Sequence, residues 1–308
     1  MSPRMARIAD VDGDTRADLI LVQSDGAQGL LSVFPADSAG SFPAQPGFEY
    51  PIAPDASALL IKDVTGDGRA DAVIAGPDGI RILPGAAEGG FGAAVVAYAE
   101  SAVTALCAGK LCDANPLLDL AVATGSEVVV LRAIGGLQFD VAFRIESANA
   151  LVAAGEFDTP GTEELVVLSG STVGIYGATG DLRTTLSLPP PLVGQDLVVA
   201  NFGGDGHTDV AVAGAFDDTG AVVVWSNTGT DFVASVIPTS RPTLRLVSTD
   251  INGDGCLDLV RYELDDDENG SLFVSWGQPG GSFADHPASL DAFPVRDLAA
   301  ADLTGDGR

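Results

Sequence analysis

One nine-residue motif recurs along the chain at a near-constant interval, and it restricts the available folds more than any other feature. It reads DVDGDTRAD from Asp10, DVTGDGRAD from Asp63, LCDANPLLD from Leu111, EFDTPGTEE from Glu156, NFGGDGHTD from Asn201 and DINGDGCLD from Asp250, and it begins again as DLTGDGR from Asp302. Successive starts lie 53, 48, 45, 45, 49 and 52 residues apart. Each complete copy runs into a short apolar stretch (LILV, AVIA, LAVA, LVVL, VAVA, LVRY) and is preceded by another, such as SALLIKD or LRLVSTD. Self-similarity at this period marks a repeat architecture, in which a unit cannot bury its faces alone and packs on its neighbours.

A second landmark follows each motif. A further apolar stretch reaches a large residue, Phe34, Leu83, Leu131, Tyr176, Trp225 or Trp276. A Gly-rich polar turn comes next, and then Phe42, Phe91, Phe139, Leu182, Phe232 or Phe283, which is expected to open a fourth strand. Helical periodicity is absent, while β-branched runs bounded by Gly and Asp abound. Four short strands in about 50 residues describe a propeller blade. The expected fold is therefore an all-β propeller of four-stranded blades, one domain over residues 1–308. Six complete blades fall at about 4–53, 54–101, 102–147, 148–193, 194–240 and 241–292. Residues 293–308 read as the first strand and loop of a seventh: PVRDLAAADLTGDGR aligns with SPRMARIADVDGDTR near the start. A seven-bladed parent and a longer chain are expected. The two Trp residues are expected to pack between blades.

With 46% hydrophobic residues the chain can build a large core, and its 38 glycines supply turns. The net charge is −28, from 43 acidic against 15 basic residues, which opposes nucleic acid and anionic membrane as partners. There is no apolar run long enough to span a bilayer, and MSPRMARIAD lacks the apolar core of a signal peptide. Cys107, Cys112 and Cys256 make no disulfide framework. They read either as small loop or buried thiols, or as a local Cys107–Cys112 pair with Cys256 left over.

The motif has its own chemistry. Acidic or amide side chains fall at positions 1, 3, 5 and 9, and Gly usually stands at 6, where a sharp turn is needed. Such a loop can fold around one hard cation, with side-chain oxygens from these four positions and the carbonyl of position 7. Calcium takes six to eight oxygens and tolerates uneven geometry, whereas magnesium is stricter. No Cys or His stands at a side-chain ligand position, which disfavours zinc and other transition metals. The competing reading is an ordinary Asp-Gly turn without an ion. It weakens as copies accumulate, because several carboxylates forced together repel unless neutralised.

The motifs DVDGDTRAD, DVTGDGRAD and DINGDGCLD, with GGFG at 89–92, resemble the FG-GAP/VCBS repeat family, calcium-loop propellers of the integrin-α kind. The resemblance covers nearly the whole chain. It implies that the loop joins the first and second strands of each blade. It also implies a role in binding proteins or glycans, or as a scaffold, without identifying the ligand.

Applied copy by copy, loop one offers Asp10, Asp12, Asp14 and Asp18 with the carbonyl of Arg16, and Thr15 replaces the usual Gly. Loop two offers Asp63, Thr65, Asp67 and Asp71 with the carbonyl of Arg69. Loop six offers Asp250, Asn252, Asp254 and Asp258 with the carbonyl of Cys256. Loop five has Asn201, Asp205, Asp209 and the carbonyl of His207, but Gly203 removes one ligand and leaves its occupancy open. Loop seven begins with Asp302, Thr304 and Asp306. Loop three, with Leu111 at position 1 and Pro116 at position 6, is expected to have lost the ion, as is loop four, with Pro160 at position 5 and Glu164 at position 9.

Fourteen of the 43 acids lie in loops one, two, five, six and seven, so part of the charge is placed and the rest makes a generally acidic surface. The run ELDDDENG at 263–270 reads as a solvated hairpin tip. Catalysis finds little support. The two histidines are His207, whose side chain is expected to face solvent, and the isolated His286, and no nucleophile elbow, P-loop or HExxH motif occurs. The expected protein is a monomeric calcium-binding domain, extracellular, cell-surface or periplasmic, with a protein or glycan ligand and no membrane insertion. The alternative is a structural propeller domain accessory to a secreted, polysaccharide-active enzyme.

Overall fold

The structure, a computed structural model, describes residues 1–112, 115–158, 161–239, 241–264, 270–292 and 295–302, over 285–292 by the backbone alone. Among the described residues the chain forms six four-stranded antiparallel sheets and no helix. Each sheet is a simple meander in chain order. These are the six complete blades of a β-propeller; a seventh is not seen among the described residues, where 295–302 join no sheet. Thr304 and Asp306 lie outside the described residues, as do Asp113, Pro160 and most of the acidic tip of ELDDDENG.

Blade one contains β1 (Ser2–Ala9), β2 (Asp18–Ser24), β3 (Gly29–Phe34) and β4 (Phe48–Ile52). Blade two contains β5 (Ala58–Lys62), β6 (Asp71–Gly76), β7 (Gly79–Leu83) and β8 (Val95–Tyr98). Blade three contains β9 (Ala105–Gly109), β10 (Asp119–Ala123), β11 (Glu127–Gly135) and β12 (Gln138–Glu146). Blade four contains β13 (Leu151–Gly155), β14 (Glu164–Ser169), β15 (Thr172–Tyr176) and β16 (Leu182–Ser187). Blade five contains β17 (Val193–Ala200), β18 (Asp209–Phe216), β19 (Thr219–Asn227) and β20 (Phe232–Thr239). Blade six contains β21 (Thr243–Thr249), β22 (Asp258–Leu264), β23 (Gly270–Gln278) and β24 (Ser282–Ala292).

The chain falls into two compact units, Met1–Val152 and Ala153–Ala300, with the boundary inside β13. In the first unit, Val73, Ala75, Ile80 and Ile82 of blade two pack on Leu120, Val122, Val129 and Leu131 of blade three. The opposite face of blade two, with Leu59, Ala72 and Ile74, packs on Ile20, Val22, Leu31 and Val33 of blade one. In the second unit, Ala211, Ala213, Val222 and Val224 of blade five meet Leu246 and Leu259 of blade six. A strand covered on both faces has no polar side to show, so β6 and β10 are buried at every residue. The fourth strand is the outer one and is largely exposed, as in β20. Trp225 is buried and Trp276 half-buried.

First strands are also tied to their neighbours by polar side chains. Arg7 Nε donates to Leu59 O at 2.9 Å, and Lys62 Nζ donates to Ala108 O at 3.0 Å. Asp196 accepts the Leu246 N–H at 2.9 Å; burial pushes its carboxyl up, against the pull of the Leu246 and Leu197 N–H groups.

The second landmark is corrected in two blades. Phe42 lies in an irregular segment and β4 begins six residues later at Phe48, while Phe91 makes only an isolated bridge with Gly85 before β8 begins at Val95. Pro43 and Pro46 remove backbone donors after Phe42, and left-handed backbone at Gly89 and Gly90 precedes Phe91. In blades four and five, Leu182 and Phe232 open the fourth strand as expected.

Candidate functional site

The motif occupies the connection between the first and second strands in all six blades. Loops one, two and six share one internal frame. The position-1 carboxylate draws the chain around itself: Asp63 accepts the N–H groups of Gly66, Asp67 and Gly68 at 2.7, 3.2 and 2.8 Å. Asp250 holds Gly253, Asp254 and Gly255 in the same way, at 2.8, 3.2 and 2.9 Å, and Asp10 holds Gly13 and Thr15 at 2.7 and 2.8 Å. The position-5 carboxylate accepts the position-7 N–H, a contact that loop five shares. It appears as Asp14 with Arg16, Asp67 with Arg69 and Asp205 with His207 at 2.9 Å, and as Asp254 with Cys256 at 2.8 Å. Asn201 makes the weaker position-1 contact in loop five, to Asp205 N–H at 3.2 Å.

This winding needs left-handed backbone twice, at positions 4 and 6. Gly13 and Thr15, Gly66 and Gly68, Gly204 and Gly206, and Gly253 and Gly255 all have φ between 66° and 90°. The Gly at position 4 is visible in four of the six complete motif copies and carries as much of the turn as the one at 6. Thr15 at φ 71° is a β-branched residue in a region such residues avoid, a larger departure than its sequence suggests.

Position 9 behaves differently from the other candidate ligands. Asp18, Asp71, Asp119, Asp209 and Asp258 are buried at 0–1% exposure. Each gives one oxygen to the backbone at the start of its loop and the other to a backbone N–H beyond the part of the third strand that pairs with the second. Asp71 accepts Val64 and Thr65 at 2.8 and 2.9 Å and Gly85 at 2.8 Å. Asp209 accepts Phe202 and Gly203 at 2.8 and 3.1 Å and Asn227 at 2.7 Å. Asp258 accepts Ile251 and Gly277 at 2.9 and 2.7 Å. Loop three retains this contact without the rest of the motif: Asp119 accepts Leu111 and Cys112 at 3.1 and 2.9 Å and Ala133 at 2.9 Å. Burial pushes the carboxyls of Asp18, Asp71, Asp119 and Asp209 up, while the peptide N–H groups pull them down. For Asp18 the neighbouring Asp12 and Asp14 charges add to the rise.

Among the described residues, loop one is where three acidic side chains converge: Asp10, Asp12 and Asp18 bring oxygens within 4.8 Å of one another. Two oxygens bound to one calcium at about 2.3–2.6 Å each can lie up to about 5 Å apart, so the trio fits a single such ion. Asp14 stands apart, paired with the Arg16 guanidinium. In loop two the position-3 candidate is the Thr65 hydroxyl, which donates to Asp63 at 3.2 Å, and Asp67 pairs with Arg69 at 3.0 Å. In loop six Asn252 Nδ2 donates to Asp254 at 2.9 Å. The donors in all three loops are oxygens. Asp10 and Asp12 also line a cleft of about 110 Å³ with Gly68, Arg69, Ala86 and Ala87 of blade two. The GGF turn fits beside it: a Cβ on Gly89 would meet Asp12 Cβ at 3.0 Å.

Asp302 belongs to no sheet. His207 is half-buried, its ring lying over Gly229, where an added Cβ would come within 2.9 Å, so it does not project freely into solvent. All three cysteines are thiols, and no disulfide joins Cys107 to Cys112. The Cys112 thiol instead donates to Asp119, which already holds the Cys112 N–H.

The FG-GAP-like repeat family matches residues 10–74 and 201–261, covering loops one, two, five and six. No curated protein matches the chain. Similar solved structures include an Agrocybe aegerita lectin that recognises non-reducing terminal N-acetylglucosamine, at 16% identity and TM-score 0.64, covering 96% of this chain and 82% of that one. BBS1N in complex with ARL6DN is similar at 16% identity and TM-score 0.61, covering 93% and 83%. A Lactobacillus plantarum protein is similar at 14% identity and TM-score 0.63, covering 96% and 86%. At these identities the likeness concerns the fold.

Proposed function

From the premise that this chain is an FG-GAP-like repeat propeller, we propose that it is a non-catalytic, calcium-stabilised binding domain that works outside the cytoplasm. The observation that carries the calcium reading is the Asp10–Asp12–Asp18 trio. Loops two and six share its winding and its oxygen donors, so Asp63, Thr65, Asp67 and Asp71, and Asp250, Asn252, Asp254 and Asp258, form the second and third sites. Loop five, lacking a side chain at Gly203, is the weakest. Calcium bound there would neutralise carboxylates that the fold holds together, and by binding only the folded chain it would stabilise it.

Loops of this kind fill at the ~0.1–1 mM calcium of extracellular modules, which supports an extracellular, cell-surface or periplasmic location. The ligand is a protein or a glycan, taken as in adhesion; the lectin of similar fold supports the glycan class. Residues 295–302 are read as the start of a further repeat. Arg245 Nε donates to Arg296 O at 3.3 Å, as Arg7 and Lys62 donate to the next first strand, and Tyr262 Oη accepts the Val295 N–H at 3.2 Å.

Calorimetry in calcium and in EDTA tests the reading. Calcium is expected to raise the melting temperature of the wild type and to do so less in Asp12→Asn. Equal melting temperatures with and without calcium would remove the metal from the function.

A further inference from the structure

We propose that Arg183 is the resident counter-ion of loop four: its guanidinium supplies the positive charge that a bound cation supplies in loops one, two and six, so blade four folds without metal. The comparison rests on the calcium reading of those loops. The contacts of Arg183 stand by themselves.

Arg183, on β16, reaches back across the blade to the motif. Its Nη1 lies 3.1 Å from Asp158 Oδ2, at position 3, and 3.4 Å from Glu164 Oε1, at position 9. Its Nε lies 3.5 Å from Asp181 Oδ2. Glu164 is buried at 3% exposure, so its charge cannot be left to water. In the other five blades the position-9 residue is Asp, and its second oxygen is met by a backbone N–H near the end of the third strand. Blade four has replaced both halves of that contact. Glu164 is longer by one methylene; its Oε2 keeps the loop contact, accepting Phe157 N–H at 2.9 Å, and its Oε1 faces the guanidinium. Gly177 makes room for the change, since a Cβ there would lie 2.4 Å from Arg183 Nε. Its own N–H goes to Asp181 O at 2.9 Å.

An arginine suits this role because it stays charged at any physiological pH and presents a planar fork of donors to several carboxylates. It differs from a bound ion in one testable respect, which is that a chelator cannot remove it. Loop four is therefore an acidic loop whose integrity is independent of calcium, and the loss of its motif residues follows from having a cation already in place.

The test is a double-variant cycle in the full chain, in EDTA, reading melting temperature. Arg183→Met is expected to lower it by about 3–8 °C, with Arg183→Lys recovering most of the loss. In a Glu164→Gln background, where no buried charge needs neutralising, Arg183→Met should cost little. Should Arg183→Met alone fail to fold, the double variant is expected to fold again. An equal cost of Arg183→Met in both backgrounds, or a double variant no better than the single, would overturn the proposal. So would a smaller calcium response in Asp158→Asn than in wild type, because loop four would then be holding an ion. If wild type shows no calcium response at all, the metal reading of loops one, two and six fails, and the Arg183–Glu164 cycle still decides this proposal.

Discussion

Asp18 and Ala36 stand 18 residues apart, and the Asp18 carboxylate accepts the Ala36 N–H at 2.9 Å while its other oxygen accepts Val11 N–H at 3.0 Å. One buried side chain thus fastens the start of the loop to the far end of the third strand. The same arrangement at Asp71, Asp119, Asp209 and Asp258 makes position 9 a structural staple first, whatever it contributes to an ion. Positions 1, 3 and 5 are the more exposed members, and they decide whether the loop is also a site.

Asp71→Asn should separate these two roles. The amide keeps the volume but sets an NH₂ group against backbone N–H donors, at Gly85 on one side or Val64 and Thr65 on the other. A loss of about 2–3 kcal/mol is expected already in EDTA from charge-assisted bonds of this kind, and the further loss in calcium measures what Asp71 gives the ion. Asp254→Ala, at an exposed position-5 site, should leave the EDTA melting temperature little changed and weaken calcium binding in titration calorimetry. Chemical denaturation of both variants with and without calcium checks the pair.

Thr15→Gly should stabilise the protein. Left-handed backbone costs a side-chain-bearing residue roughly 1–2 kcal/mol, and the added freedom of glycine in the unfolded chain returns about 0.5–1 kcal/mol of that. A net gain of about 0.5–1 kcal/mol is expected in urea unfolding. The matching control is Gly68→Ala in loop two, where φ is 86° and an added Cβ meets nothing within 4 Å. Its expected loss of about 1 kcal/mol is purely conformational.

Period, the six complete blades and the place of the loop are legible in the sequence, because a repeat writes the same local chemistry six times. What was not legible depended on contacts between distant residues. Position 9 looks like a fourth ligand in the linear motif; its role as a staple appears only when Ala36, Gly85, Ala133, Asn227 and Gly277 arrive from the third strand. Arg183 lies 19 residues beyond Glu164, and the only linear hint of it is a Glu where every other complete copy has Asp. Phe42 and Phe91 misled for a local reason: the turn residues beside them displaced the start of the fourth strand, while Phe91 stays in the core with Phe48 and Tyr50 packed against it.

Tyr50→Phe probes that packing. Tyr50 Oη accepts the Phe91 N–H at 2.6 Å, and the two rings meet edge to face with centroids 5.6 Å apart. Removing the hydroxyl leaves the rings in contact but strips a half-buried N–H of its acceptor, for an expected loss of about 1–2 kcal/mol. Phe91→Ala removes the ring itself and should cost more, about 3–5 kcal/mol. Thermal unfolding of the two variants in parallel gives the order.

Asp119 offers a test of the staple by pH, in a loop expected to hold no ion. Burial is the largest influence on its carboxyl and raises it above the ordinary 3.8, against the pull of Ala133 and Cys112. The folded chain therefore holds this proton more readily than the unfolded chain does. The resulting stability is fully present below pH 3.8 and is lost as pH rises through the folded-state value. Asp119→Asn has no such proton, so its penalty relative to wild type should be larger near pH 4 than at pH 7, while carboxylates common to both proteins cancel in the difference. Urea midpoints measured for both proteins across that range provide the check; a penalty that shrinks on acidification would mean that the peptide N–H groups, and not burial, set the charge of the staple.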